Sequence, residues 1–92
     1  MPSGLENMKT IEIYTKPYCG YCLAAKRLLT MKGMTFTEID ISRDTEQRQV
    51  MQARSNGRFT VPQIFIGEVH VGGYDELSAL ERSGKLDALL AA

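Results

Sequence analysis

The hydrophobic and polar positions along the chain change their period where the two cysteines occur. Residues 9–15, "KTIEIYT", alternate apolar and polar side chains and are rich in β-branched residues, which is typical of a strand. From Cys22 onward, apolar residues recur at intervals of three and four as far as Gly33. This spacing predicts a helix over about 20–32, so Cys19 is expected in the loop between strand and helix.

The middle of the chain repeats the alternation of strand and helix. "MTFTEIDI", residues 34–41, is interpreted as a second strand. Asp44 has the position of a helix N-cap and opens a second helix that runs to about Ser55. Residues 61–73 then predict a hairpin, in which Gly67-Glu68 forms a two-residue type II′ turn.

The C-terminal part contains helical patterns only. "YDELSALERSG" has leucines at helical spacing, and "KLDALL" adds another turn or two. The order of elements is therefore strand, helix, strand, helix, strand, strand, helix. The two strand-helix-strand beginnings imply a parallel pair and the hairpin an antiparallel pair. We expect an α/β fold with a four-stranded mixed sheet flanked by three or more helices.

Composition limits the number of domains and the classes of partner. A chain of 92 residues builds one domain, assigned to 9–92, whereas residues 1–8 are interpreted as a flexible N-terminal extension or a cloning remnant. The 11 basic and 11 acidic residues cancel, which predicts no general attraction to nucleic acid or to a membrane surface. No stretch approaches the roughly 20 apolar residues of a membrane span, and without a secretion signal the expected compartment is the cytoplasm.

Cys19 and Cys22 form a Cys-x-x-Cys pair with three possible interpretations. A structural disulfide between them would close a very small loop and remove little entropy from the unfolded chain. A closed zinc site needs about four ligands, and the chain offers these two sulfurs and His70. A redox pair fits best, because the cysteines lie where a strand passes into a helix.

The two cysteines are expected to have different roles. Cys19 lies just before or at the first helical residue, where free N–H groups and the helix dipole favour a thiolate, and Lys16 adds a nearby cation. Cys22 falls one turn later on the inner face, where burial keeps the thiol protonated. Cys19 is therefore the predicted nucleophile and Cys22 the resolving thiol.

Three separated motifs are similar to those of the glutaredoxins, which have a thioredoxin-like fold. They are "YTKPYCGYC" (14–22), "TVPQIFI" (60–66) and "GGYDEL" (72–77), and the resemblance extends from residue 9 to about 91. Thioredoxins usually have a tryptophan before the first cysteine and Gly-Pro between the two, whereas this chain has no tryptophan. The resemblance thus implies glutathione as the source of electrons.

The resemblance also assigns a glutathione site. Lys16 and Arg58 would face the glycine carboxylate, and Val61, joined to Pro62 by a cis peptide, would pair with the cysteinyl unit. The remaining members would hold the γ-glutamyl end or line the groove: Gly73, Tyr74, Asp75, Tyr21 and Thr60. Simpler roles are surface charge for the two cations and capping of the last helix for Asp75.

Other aromatic and titratable side chains are interpreted as structural. Tyr14, Phe36, Phe59 and Phe65 are interpreted as packing residues and not as ligands. His70 is expected to be an ordinary strand residue.

Gly20 departs from the proline that many dithiol glutaredoxins have between their cysteines. Glycine leaves more room at the rim of the site. Glutaredoxins without this proline resemble those that form a homodimer around a [2Fe-2S] cluster, in which Cys19 of each chain and two glutathione thiolates would be the ligands.

The resulting hypothesis is a glutathione-dependent thiol-disulfide oxidoreductase. It would act as a monomer on disulfide-bearing or glutathionylated proteins. The alternative is an iron-sulfur carrier in the form of a cluster-bridged homodimer.

Overall fold

A computed structural model describes residues 9–91. The N-terminal extension that the sequence suggests lies outside the described residues. The elements, in chain order, are β1 (Ile11–Thr15), α1 (Gly20–Met31), β2 (Thr37–Asp40), α2 (Thr45–Arg54), β3 (Gln63–Ile66), β4 (Val69–Gly72), α3 (Tyr74–Arg82) and α4 (Leu86–Leu90).

The four strands form one mixed sheet in the order β2-β1-β3-β4. β1 pairs with β2 in parallel and with β3 antiparallel, and β3 pairs antiparallel with β4. The predicted α/β fold and four-stranded mixed sheet are confirmed. β1 and β2 begin later than expected, at Ile11 and Thr37. These are the first residues of each segment that pair with a neighbouring strand, Ile11 with β3 and Thr37 with β1.

Caps and turns occur where the sequence predicts them. The Asp44 side chain accepts a hydrogen bond from the Gln47 N–H at 3.0 Å, which caps α2. Gly33 follows α1 with a φ of 75°, in the left-handed region that favours glycine. Gly67 has a φ of 59°, as the first position of the predicted type II′ turn requires.

Apolar residues cover both faces of the sheet. On one face β1 and β3 pack against α1, α3 and α4, with Ile13, Leu29 and Leu77 fully buried. On the other face, Tyr14 packs with Met51 of α2 in a smaller cluster. Ile11 and Ile13 enter the larger cluster and Tyr14 the smaller one, as expected because successive side chains of a strand point to opposite faces.

Most of the aromatic predictions are confirmed, and one is wrong. Tyr14 and Phe65 are buried, and their rings meet edge to face with 5.8 Å between the ring centroids. Phe36 packs against the larger cluster. Phe59 is 69% exposed, because it lies in the loop before β3 and not in a strand that faces the interior. Within residues 9–91, no helix is long and apolar enough to cross a bilayer.

Candidate active site

Cys19 is the N-cap of α1, as its sequence position predicts. Its sulfur accepts a hydrogen bond from the Cys22 N–H at 3.1 Å, and the first turn of α1 contains no acidic residue. An N–H donor and the positive end of the helix dipole both stabilise negative charge on a sulfur. Cys19 is also half-buried and not covered, so a thiolate at this position is accessible to a substrate.

Cys22 has the opposite environment. It is 2% exposed and lies on the inner face of α1 beside Ala25 and Leu29. Burial, together with the hydrogen bond to Cys19, raises the pKa of Cys22 to about 12. Cys22 is therefore a thiol at neutral pH, as the sequence predicts for a resolving cysteine.

The loop before β3 contacts Cys19 through its backbone. Cys19 Sγ lies 3.9 Å from the carbonyl oxygen of Val61, within the range of a weak S–H hydrogen bond. The peptide bond between Val61 and Pro62 is cis, as the resemblance implied. This loop therefore forms the wall of the site next to the nucleophilic sulfur.

A groove of about 170 Å³ extends from this wall to the start of α3. Eight of the predicted glutathione contacts line it together with Glu76: Tyr21, Arg58, Thr60, Val61, Pro62, Gly73, Tyr74 and Asp75. The rings of Tyr21 and Tyr74 are stacked 6.3 Å apart, joining the first turn of α1 to that of α3. Residues from three distant parts of the chain thus meet in one groove.

Lys16 does not line this groove. It lines a second cavity, of about 490 Å³, together with Cys19. That cavity also contains the ion pair of Lys26 and Glu38, whose atoms are 2.9 Å apart, and Glu38 accepts a hydrogen bond from Thr15 at 2.8 Å. Cys19 therefore lines this second cavity directly, and it contacts the groove through Val61.

The two carboxylates at the start of α3, Asp75 and Glu76, have different surroundings. Arg58 pairs with Glu76 at 3.4 Å, and Glu76 accepts a hydrogen bond from the Gly73 N–H at 2.6 Å. That hydrogen bond, with help from Arg58, lowers the pKa of Glu76. Glu76 and not Asp75 satisfies the helix terminus, so the alternative that Asp75 serves only as the cap is wrong. Asp75 is left exposed at the groove.

Sequence reasoning missed Glu76 and also Gln63. Glu76 stands three residues after the N-cap Gly73, which is the spacing of a capping box and is visible in the sequence. Gln63 has the sequence signal of a buried polar contact, because it is a glutamine in an otherwise apolar strand. Neither residue touches the nucleophilic sulfur. Glu76 instead caps α3 at the end of the groove, and Gln63 binds the loop that forms the wall of the site.

No metal site is formed by this chain alone in the part that the structure describes. Across residues 9–91, no three side chains of His, Cys, Asp or Glu come together as ligands. His70 instead stacks on Phe65 at 4.8 Å and contacts Gln63, as a structural strand residue. The zinc interpretation of the cysteine pair therefore has no third ligand within these residues.

Comparison with known proteins identifies the family. The family model for glutaredoxin matches residues 11–71. A glutaredoxin from Pseudomonas aeruginosa is 55% identical over 85 residues, which cover 92% of this chain and 100% of that protein.

Solved glutaredoxin structures share the fold. The solution structure from Brucella melitensis is 59% identical with a TM-score of 0.81, covering 92% of this chain and 91% of that one. The buckwheat glutaredoxin-glutathione complex is 32% identical with a TM-score of 0.79, covering 91% and 78%. A structure described as "Metal Binding of Glutaredoxins" is 58% identical with a TM-score of 0.72, covering 94% and 92%.

The matches extend over nearly the whole chain and include both cysteines of the site. Two sulfurs at the start of α1, one accessible and one buried as a thiol, provide the chemistry of disulfide exchange. The chain belongs to the glutaredoxin family and has its thiol oxidoreductase role.

Proposed function

We propose that this glutaredoxin uses glutathione to reduce glutathionylated cysteines and protein disulfides, and that it acts in the cytoplasm. The observation that carries the proposal is the composition of the groove beside Cys19. Arg58 supplies a cation, Asp75 an exposed carboxylate, and Val61 a backbone segment next to the nucleophilic sulfur. Glutathione carries two carboxylates and one ammonium around a central cysteine, so Arg58 can pair with one carboxylate, Asp75 with the ammonium and the Val61 backbone with the cysteine. The buckwheat relative was solved as a glutathione complex.

In the monothiol route, the glutathione half of a mixed disulfide occupies the groove. The Cys19 thiolate attacks the glutathione sulfur, and the substrate cysteine leaves as a thiolate. A second glutathione thiolate then attacks the same sulfur, which releases oxidised glutathione and restores the Cys19 thiolate. Arg58 and Asp75 would orient the bound half, while Lys16 would add a cation from the second cavity, which Cys19 also lines.

In the dithiol route, Cys19 forms a mixed disulfide with a substrate protein. Cys22 loses its proton, attacks the Cys19 sulfur and releases the substrate thiolate, leaving a bond between the two cysteines that two glutathiones reduce. The aromatic side chains beside Cys19 give such a protein an apolar surface to contact, since Tyr18 and Tyr21 are exposed.

The two cysteines can be tested separately in an assay that couples disulfide reduction to glutathione reductase. Cys19→Ser should abolish turnover of every substrate. Cys22→Ser should keep turnover of a glutathionylated peptide and lose turnover of a protein disulfide. Full turnover by Cys19→Ser would refute the nucleophile assignment, and equal loss of both substrates in Cys22→Ser would refute the monothiol route.

A second candidate function is binding of a [2Fe-2S] cluster between two chains. Cys19 is accessible, and a Cβ added at Gly20 would meet nothing within 4 Å, so the rim beside the sulfur is open. Thiolates are the usual ligands of such clusters. With one accessible sulfur per chain, Cys19 of each subunit and two glutathione thiolates would hold the group. When bound, the cluster supplies an iron-sulfur unit for transfer or sensing.

Anaerobic incubation with iron, sulfide and glutathione tests this second candidate. Visible absorption that elutes with a dimer and contains glutathione by mass analysis would support it. A colourless monomer under these conditions would rule it out.

A further inference from the structure

We propose that Gln63 and His70 are positioning residues that hold the Thr60-Val61 wall of the active site through a chain of hydrogen bonds. Neither residue touches Cys19. Gln63 is fully buried in β3, between the loop that forms the wall and the next strand. The other three residues of β3, Ile64, Phe65 and Ile66, are apolar. Burying an amide among them costs free energy unless its polar atoms are paired.

Both ends of the Gln63 amide have partners. The nitrogen Nε2 donates to the carbonyl oxygen of Thr60 at 3.0 Å and lies 3.1 Å from its hydroxyl oxygen. The oxygen Oε1 lies 2.7 Å from Nε2 of His70. Since Oε1 can only accept, Nε2 of His70 must carry the proton and donate it.

His70 is itself held in place. Its ring stacks on Phe65 with a centroid distance of 4.8 Å and an interplanar angle of 24°. Burial, with the charge of Arg58, lowers the pKa of His70, so the neutral ring with its proton on Nε2 is the form at neutral pH. The ring therefore fixes the direction of the Gln63 amide.

The chain of hydrogen bonds ends at the wall of the active site. Thr60 is exposed, and within residues 9–91 its side chain has no other side-chain partner than Gln63. The next residue, Val61, places its carbonyl oxygen 3.9 Å from Cys19 Sγ. Gln63 thus ties an exposed loop segment to the centre of the sheet at the point where the loop meets the nucleophile.

The first experiment separates binding from chemistry. Gln63→Met keeps the volume of the side chain and removes the donors to Thr60. With a glutathionylated peptide as substrate, KM should rise about 5- to 30-fold, the effect of losing one or two buried hydrogen bonds. The value of kcat should stay within about threefold, because the wall contacts the bound half in the ground state and the transition state alike.

Variants of His70 test the outer part of the hydrogen-bond chain. His70→Phe keeps an aromatic ring against Phe65 and removes the donor to Gln63, so KM should rise at least about threefold. His70→Gln restores an N–H near the position of Nε2 and should return KM to within about twofold of the wild type. Equal KM values in the two variants would contradict the role of His70.

The kinetic measurement rests on the glutathione site proposed above, so a second readout is independent of it. In ¹⁵N relaxation of the free protein, the order parameters of Thr60 and Val61 should fall from about 0.85 to below about 0.7 in Gln63→Met. Ile66→Val is the matched control, because it weakens the far end of the same strand without contacting the loop. Its order parameters at Thr60 and Val61 should be unchanged.

The outcomes distinguish the two proposals. Gln63→Met can have a lower Tm than the wild type whether or not Gln63 positions the loop. If its KM and its order parameters at Thr60 and Val61 nevertheless match those of Ile66→Val, the positioning role is wrong. If the wild type shows no saturation with the glutathionylated peptide, the glutathione proposal fails. In that case lower order parameters in Gln63→Met alone would still support the positioning role.

Discussion

Cys19 and Cys22 are three residues apart and have opposite surroundings. Cys19 ends a loop and its sulfur accepts an N–H hydrogen bond at the helix terminus, while Cys22 is buried on the inner face of α1. Three positions along a helix are nearly one full turn, so the two side chains lie on the same side of α1. Cys19 lies at the accessible end of the helix, whereas Cys22 lies about one turn further along, where this side of the helix is buried. The nucleophile and the resolving thiol are thus assigned by position on the helix and not by residue type.

The raised pKa of Cys22 predicts a pH dependence of stability. Between an ordinary thiol pKa of 9.0 and about 12, the unfolded chain releases a proton that the folded protein keeps. The stabilisation is therefore complete below about pH 9 and is lost as the pH rises through this window. In urea unfolding of the reduced protein, the free energy of unfolding should fall more steeply with pH than in Cys22→Ala, by up to about 1.4 kcal/mol per pH unit. Parallel slopes would contradict the assignment.

Arg58 and Lys16 should differ in their effect on glutathione binding. Arg58 lines the groove with Asp75, whereas Lys16 lines the second cavity with Cys19. Arg58 is nearly half exposed, so we expect Arg58→Ala to raise KM for a glutathionylated peptide by only about two- to fivefold. Lys16→Ala should raise it less. A larger effect of Lys16→Ala would indicate that the glutathione carboxylate lies on the Lys16 side.

At the scale of elements, the site depends on how β4 passes into α3. Gly72 ends β4 with a φ of 113°, and a Cβ there would overlap the Glu76 carboxylate and lie 3.1 Å from Arg58 Nη1. Glu76 cannot move away freely, because it holds both the Gly73 N–H and Arg58. The second glycine of the pair is the N-cap, and the first leaves room for the ion pair.

Gly72→Ala is therefore expected to be costly. Gly84→Ala is the matched control, since Gly84 also has a positive φ, of 76°, but nothing within 4 Å of the added Cβ. The free energy of unfolding of this control should fall by roughly 1–2 kcal/mol because of backbone strain. Gly72→Ala should lose about 1–3 kcal/mol more, from displacement of Glu76. Equal losses of unfolding free energy in the two variants, measured by denaturant unfolding, would show that the Glu76 carboxylate moves aside without cost.

At the scale of the whole molecule, the active site lies where three segments that are distant in the sequence meet. The N-cap position of α1 provides Cys19, the loop before β3 provides Val61, and the first turn of α3 provides Asp75. The net charge is zero, so recognition depends on local charges along the groove and not on a general field.

Assembly of two molecules should depend on Gly20. This residue is the first of α1, a position where proline is tolerated because its missing N–H has no helical partner. Gly20→Pro should therefore fold and reduce a glutathionylated peptide at a rate within about threefold of the wild type. After anaerobic incubation with iron, sulfide and glutathione, it should yield less coloured dimer than the wild type. Equal yields would show that the open rim is not what permits a cluster.

Local signals in the sequence predicted most of the fold. The period of apolar residues located the strands and helices, and Asp44, Gly33 and Gly67 mark caps and turns whose backbone requirements are met in the structure. These features act within a few residues, so a single sequence reveals them. The aromatic character of Phe59 suggested burial, while the loop that carries it faces solvent.

The sequence by itself determined the cysteine pair, its position at a helix start, and the order of elements that makes a mixed sheet. Only the tertiary structure decided that Lys16 and Arg58 line different cavities, that Arg58 pairs with Glu76, and that a buried glutamine ties the active-site wall to His70. The physical reason is range. Caps, turns and helix faces are set by neighbours along the chain, whereas grooves and hydrogen-bond chains arise from segments that meet only after the sheet has formed.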